Sequence, residues 1–133
     1  MSARPDLRYE QKIANYMKAL NALEKSVSSP ISEARDLSGI IKDYEIVYEL
    51  GWKTLKIFLE MQGNETGPAK DVFSKAYQLR RLDDQNVWLQ MIDDRNLAVH
   101  TYDEKLANAL CDRIRSRYVP AFQELLKTLK TTV

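Results

Sequence analysis

"IKDYEIVYELGWKTLKIFL", residues 41–59, decides the fold class. Ile41, Tyr44, Tyr48, Trp52, Leu55 and Leu59 recur at steps of three and four. That spacing lays them along one stripe of a helix, and it has none of the period-two alternation of a strand. Gly51 falls inside the run, where a helix tolerates it at a cost of about 1 kcal/mol relative to alanine.

The same rhythm extends to both sides. Tyr9, Ile13, Tyr16, Leu20, Leu23 and Val27 predict a first helix, ended by "SVSSP" at 26–30. Ser29 and Pro30 fit as cap and first-turn residue of the long helix that carries the opening stretch. "QGNETGP" at 62–68 breaks that helix, and Pro68 opens a third whose apolar face is Val72, Phe73, Ala76 and Tyr77. After "RRLDDQN" at 80–86, Asp83 or Asp84 caps a fourth helix starting with Val87, Trp88, Met91 and Ile92. Asp103 fits as the next N-cap, with Glu104 favourable in the first turn. Leu106, Leu110, Ile114 and Tyr118 follow at steps of four, and Phe122, Leu125 and Leu129 continue the face. Pro120 lies within this pattern. It lacks an N–H and clashes with the Ser116 carbonyl, so a kink is expected there. No alternating strand pattern, repeat or low-complexity tract appears. The fold class is all-α: an up-and-down bundle of four to five helices, with residues 1–133 as one domain.

Composition narrows the function. At 133 residues the chain is long enough to bury a core without staples. Its 44% apolar and 29% charged residues are a globular balance, not a disordered one. The net charge of +1 excludes a basic field over the whole molecule, so nucleic-acid binding must come from a local patch. One cysteine and one histidine cannot make an internal disulfide or a zinc site within one chain. Cys111, on an apolar helix, reads as a core thiol. With no signal peptide and no long apolar run, a cytoplasmic protein without membrane association is expected. The generous aromatic content reads first as core packing, with a subunit interface as the alternative.

"RNLAVHTYDE", residues 95–104, holds the one histidine. On an ideal helix Arg95 and His100 stand about 140° apart, whereas Asn96 aligns with His100 and Arg95 with Tyr102. If the helix ends near Thr101, Tyr102 projects from a turn instead. Either way a guanidinium, an amide, an imidazole and a phenol gather in a small region. Histidine moves protons near neutrality, and arginine grips phosphate through paired N–H groups. The set suits cleavage of an RNA phosphodiester: a base takes the 2′-hydroxyl proton and the cation stabilises charge on the phosphorane. That chemistry calls for no metal and no cofactor. It does call for two proton-transfer groups, and a symmetric homodimer would supply the second histidine. Spacing alone does not separate this from a plainer role, with His100 as a helix-end charge and Arg95 paired to Asp93, Asp94 or a neighbouring helix.

Read as a string, Arg95, Asn96, the spacer Leu97–Val99, His100, Thr101 and Tyr102 resemble the signature of the HEPN superfamily. The likeness is to its small bacterial branch, the nucleotidyltransferase substrate-binding proteins. "YELGWKTLKIFLE" at 48–60, "TGPAKDVFSKAYQLRRLDD" at 66–84 and "VWLQMIDDRN" at 87–96 resemble the same branch. The resemblance implies a helical homodimer whose two motifs face each other across a cleft. It implies a minimal nucleotidyltransferase partner. In toxin–antitoxin versions it also implies a metal-independent endoribonuclease toxin, silenced when the partner transfers AMP to the motif tyrosine. Carried over, the roles are Arg95 as phosphate binder, His100 as proton-transfer group, Asn96 as orienting amide and Tyr102 as AMP acceptor. Lys53, Lys56, Arg80 and Arg81, with Arg113, Arg115 and Arg117, are the basic residues available to RNA. The alternative is a non-catalytic subunit that presents a substrate to the nucleotidyltransferase. A plain helical assembly subunit also remains open.

Overall fold

The computed structural model describes residues 4–100 and 102–131, with side chains from residue 7 onward. All regular structure among them is helical: α1 (Arg4–Ser28), α2 (Ala34–Met61), α3 (Ala69–Gln78), α4 (Gln85–Leu97), α5 (Glu104–Arg113) and α6 (Val119–Leu129). A 3-10 turn, Ala98–His100, follows α4, and a π-helical turn, Ile114–Tyr118, joins α5 to α6 in one continuous rod.

Cross-helix contacts fix the directions. Cys111 Sγ faces the Leu37 carbonyl, the Tyr118 ring stacks on Tyr44, and Leu125 lies 3.3 Å from where a Cβ on Gly51 would stand. Both members of each pair advance by seven residues, so α2 and the α5–α6 rod run parallel. Tyr9 and Tyr16 donate their hydroxyls to the Leu129 and Phe122 carbonyls, so α1 runs antiparallel to α6. Arg113 reaches Asp94 and Arg117 reaches Gln90, so α4 is also antiparallel to the rod. The long elements thus alternate up and down as expected, and short α3 fills the crossover from α2 to α4.

α2 lies at the centre, in contact with α1, α3, α5 and α6. Its buried stripe is wider than the sequence pattern predicts: Ile40, Val47, Gly51, Thr54 and Phe58 join the expected face, while Trp52 lies at its edge. A central helix has neighbours on several sides, so one narrow stripe underestimates it. The aromatics are mainly core, as expected: Tyr44, Tyr48, Phe73, Trp88, Tyr118 and Phe122 form a linked cluster with ring centroids 5.0–6.3 Å apart. Tyr77 and Leu106 are corrections, since both are exposed. The core positions on their helices are Val72, Phe73 and Ala76, and Ala107 and Leu110.

The ends of the helices follow local chemistry. Ser29 and Pro30 do not start α2. They lie in the linker, where Ser29 Oγ bonds back to the Lys25 carbonyl. Asp36 does the work at the N-terminus of α2, its carboxylate accepting the backbone N–H groups of Ser32 and Glu33. Those two bonds hold its carboxyl below the usual carboxylate value. Asp84 caps α4 through the Asn86 N–H, and Asp103 caps α5 through the N–H groups of Lys105 and Leu106. At Pro120 the rod does not simply bend. It widens into the π turn, where the Val119 N–H reaches the Ile114 carbonyl, and this makes room for the ring. No described helix is long and apolar enough to cross a membrane.

Candidate functional site

The 95–104 stretch forms the join between α4 and α5. The helix ends at Leu97, so the turn reading is the correct one of the two. Ala98 is buried and pins the 3-10 turn to the bundle, while Val99, His100 and Tyr102 project outward. Thr101 lies outside the described residues. Asp103 closes the turn twice, its N–H bonding to the His100 carbonyl and its side chain capping α5.

His100 and Tyr102 come together: Nδ1 of the imidazole is 3.2 Å from the phenol oxygen, and the rings meet edge to face. With its proton on Nε2, the imidazole accepts from the phenol, and with the proton on Nδ1 it donates. Tyr102 is 83% exposed, so its hydroxyl is open to reagents and partners. Asn96 is also exposed.

Arg95 turns the other way, toward α2. Its Nη1 lies 3.7 Å from Glu45 and its Nε 3.6 Å from Glu49. The neighbouring-helix pairing, not one with Asp93 or Asp94, is therefore the one present. Glu49 is held in turn by the Trp52 indole N–H at 3.2 Å and by Lys53 at 3.6 Å. Sequence reasoning did not single out Glu45 and Glu49. Their signal is the i, i+4 spacing, which puts two carboxylates on one face of α2.

Asp94, one position from Arg95, is buried. It takes two parallel bonds from Arg113 at 2.7 and 2.8 Å and one from the Tyr118 hydroxyl. Burial, and then this carboxylate, push the Tyr118 phenol well above its ordinary value. On the other side of the pair, the bonds to Asp94 raise the guanidinium of Arg113 further. The Tyr44 hydroxyl bonds to the Met91 carbonyl in the same layer. α4 is thus anchored one residue before the motif begins.

The basic candidates divide. Lys53 lies beside the motif through Glu49. Lys56 does not face solvent freely: its ammonium binds the Thr66 and Gly67 carbonyls and clamps the α2–α3 loop. Arg81 lies over the Phe58 ring, and its carbonyl accepts from Thr128. Arg80, with a positive φ of 62°, is exposed in the turn before α4. Arg80 and Arg81 both precede α4, whereas Arg95 lies about 15 Å along that helix from its first residue. Arg113, Arg115 and Arg117 bond to Asp94, the Val27 carbonyl and Gln90. Among the described residues, no three His, Cys, Asp or Glu side chains gather as a metal-ligand set.

Large apolar side chains surround the turn. Leu97, Val99 and Leu106 are exposed, as is Ile46 next to Glu45 on α2.

Comparison with known proteins agrees with this architecture. Residues 11–131 match the family described as "nucleotidyltransferase substrate binding protein like". The chain is 31% identical over 83 residues to a Haemophilus influenzae protein named "probable ribonuclease HepT", covering 59% of this chain and 57% of that relative. The chain thus spans little more than half the length of that relative. A crystal structure from Thermus thermophilus superposes with a TM-score of 0.81 at 30% identity, covering 87% of this chain and 99% of that one. A Haemophilus influenzae structure, described as the fold of a substrate binding domain of a nucleotidyltransferase, also superposes with a TM-score of 0.81. It is 26% identical and covers 90% of this chain and 99% of that one. This chain therefore belongs to the nucleotidyltransferase substrate binding protein-like family, the HEPN branch that its motif resembles.

Proposed function

We propose that this chain is a metal-independent endoribonuclease toxin that acts as a homodimer and is silenced when a minimal nucleotidyltransferase transfers AMP to Tyr102. The observation that carries this reading is the turn itself. An imidazole and a phenol, hydrogen-bonded and open to solvent, stand among exposed Leu97, Val99 and Leu106. A second copy on that apolar collar would cover it and set two His100 groups across one cleft, as base and acid for the 2′-hydroxyl and the leaving 5′-oxygen. Arg95 then meets the phosphorane oxygens, Asn96 orients the substrate, and Lys53 tracks a flanking phosphate. Silencing is a phosphoryl transfer. The Tyr102 oxygen attacks the α-phosphorus of ATP, the bond to pyrophosphate breaks, and the phenolic proton leaves to a base. The bound AMP then places negative charge and bulk beside His100, where RNA must bind. The name of the Haemophilus relative supports the ribonuclease reading. The expected location is the cytoplasm.

The test has three measurements. The purified chain cuts RNA in EDTA, and Arg95→Ala and His100→Ala abolish cutting; a fully active variant removes its residue from the mechanism. Sedimentation gives a dimer that Val99→Asp converts to monomer and inactivates. With the partner and ATP, intact mass rises by AMP units in the wild type and not in Tyr102→Phe.

A second reading, a non-catalytic subunit that presents substrate to the nucleotidyltransferase, is favoured by one observation: Arg95 is held by two carboxylates, not left bare for a phosphate. The family description points the same way. Labelled ATP separates the two, since label on a third molecule supports this reading and label on Tyr102 the first.

A further inference from the structure

We infer that Glu45 and Glu49 are positioning residues for Arg95, two carboxylates one turn apart on α2 that steer its guanidinium without closing its donors to a phosphate. This rests on reading the motif as an RNA-cleaving site.

The four charges form an alternating chain, Glu45–Arg95–Glu49–Lys53. Each carboxylate comes nearest to a different nitrogen of the guanidinium. The nearest contacts are Nη1 with Glu45 and Nε with Glu49. Glu49 divides its own oxygens as well. Oε1 takes the Trp52 indole and Lys53, and Oε2 points to Arg95. A carboxylate fixed on one oxygen gives the other a defined direction.

The distances set the character of the contact. Charge-assisted hydrogen bonds run at about 2.7–2.9 Å, the separation Arg113 keeps from Asp94. Arg95 stays at 3.6–3.7 Å, and its covered Nε has no hydrogen-bond partner. The guanidinium is therefore oriented without being saturated. A phosphate arriving at the guanidinium finds open donors, and the side chain needs no search through its rotamers. Glu45 and Glu49, like charges at i, i+4, repel each other, and Arg95 between them offsets that repulsion.

Positioning predicts a split that a merely structural role does not. Two carboxylates beside the cation oppose an anion in the ground state, so removing one strengthens phosphate binding. The same change loosens the guanidinium and slows the chemical step.

The experiment uses the full chain with Glu45→Gln and Glu49→Gln, each close in shape to the original, and melting curves confirm folding. Three quantities are read: 15N relaxation of the Arg95 Nε–Hε group, affinity for a DNA oligonucleotide that lacks the reacting 2′-hydroxyl, and turnover on RNA at saturation. Expected results are a wild-type Nε–Hε as rigid as the backbone, turning as mobile as that of exposed Arg8 in Glu49→Gln. DNA binding should tighten about 2- to 5-fold, since a half-exposed ion pair is worth up to about a factor of five. Turnover should fall at least about 10-fold. A mobile Arg95 in the wild type, or unchanged mobility in both variants, overturns the inference. A rise in turnover along with affinity overturns it too, because the carboxylates would then be only a brake. If the wild type cuts no RNA, the ribonuclease reading fails, while the relaxation and DNA measurements still decide whether the two carboxylates position Arg95.

Discussion

Replacing Asp94 with alanine should remove about 3–4 kcal/mol of stability, more than most single substitutions in a chain of this size. Asp94 is 4% exposed and accepts two bonds from Arg113 and one from Tyr118. Breaking a buried ion pair by deleting one partner costs about 3–5 kcal/mol. A buried hydroxyl left without an acceptor costs about 1–3 kcal/mol. The two do not add, because they share one carboxylate. Arg113 is 27% exposed, so water recovers part of its loss and the lower end of the range applies. With an unfolding entropy of about 2.1 cal/mol/K per residue, 133 residues convert this to a fall of about 10–14 °C in Tm. Thermal melts followed by circular dichroism measure it. Two companions test the account: Tyr118→Phe, which leaves both Arg113 bonds in place, should cost only about 1 kcal/mol. Joint replacement, Asp94→Leu with Arg113→Met, should recover much of the loss, since an apolar pair needs no compensation. A loss below about 1 kcal/mol for Asp94→Ala would refute the claim that this carboxylate anchors α4.

Gly51→Ala sets about 1 kcal/mol of helix propensity against a clash. The new Cβ would lie 2.9 Å from the Tyr16 ring, which cannot retreat because it is fully buried and its hydroxyl is bound to Phe122. A net destabilisation of about 1 kcal/mol is expected by urea titration, and a more stable variant would show that the ring gives way. Burial pushes the Cys111 thiol from about 9 up to about 11. The folded state thus favours the neutral form, so stability is unaffected below pH 9 and falls as pH rises from 9 to 11. At pH 8 iodoacetamide should label Cys111 only at the rate of unfolding, and labelling as fast as a free thiol's would contradict this. Lys56→Met should loosen the α2–α3 loop, seen as faster amide exchange after Met61, and leave RNA affinity unchanged. A weakened RNA complex would return Lys56 to the binding surface.

Helix identity and order were legible because apolar spacing and short polar breaks are local properties. Asp84 and Asp103 were readable as caps, since a cap needs only its own side chain and the next turn. Ser29–Pro30 misled for the same reason: the pair has capping chemistry, but Asp36 competes for the neighbouring N–H groups and wins. Tyr77 and Leu106 follow the apolar rhythm and are exposed all the same, because periodicity marks a stripe and not how far the neighbouring helices reach over it. At the site, the motif gave its own members. Its supporting shell came from elsewhere in the chain, with Glu45 and Glu49 some fifty residues upstream of Arg95 and Arg113 some twenty residues beyond Asp94. Nothing local marks which carboxylate meets which guanidinium. The partners of Lys56 and Arg81, two candidates for RNA contact, were hidden for the same reason, since carbonyl and aromatic contacts are set by loop geometry and packing.

The widened turn at Ile114–Tyr118 gives the rod one surplus residue without changing the phase of the helices on either side. It also lets Arg113 and Tyr118, which would diverge by about 140° on a regular helix, converge on one carboxylate. Excising exposed Ser116 while exchanging Pro120 for alanine should therefore yield an uninterrupted α-helix that still docks against α1. Excising Ser116 alone would drive the proline ring into the carbonyl in front of it. A chain shortened by one residue at this point would trade the shared grip on α4 for a straighter spine.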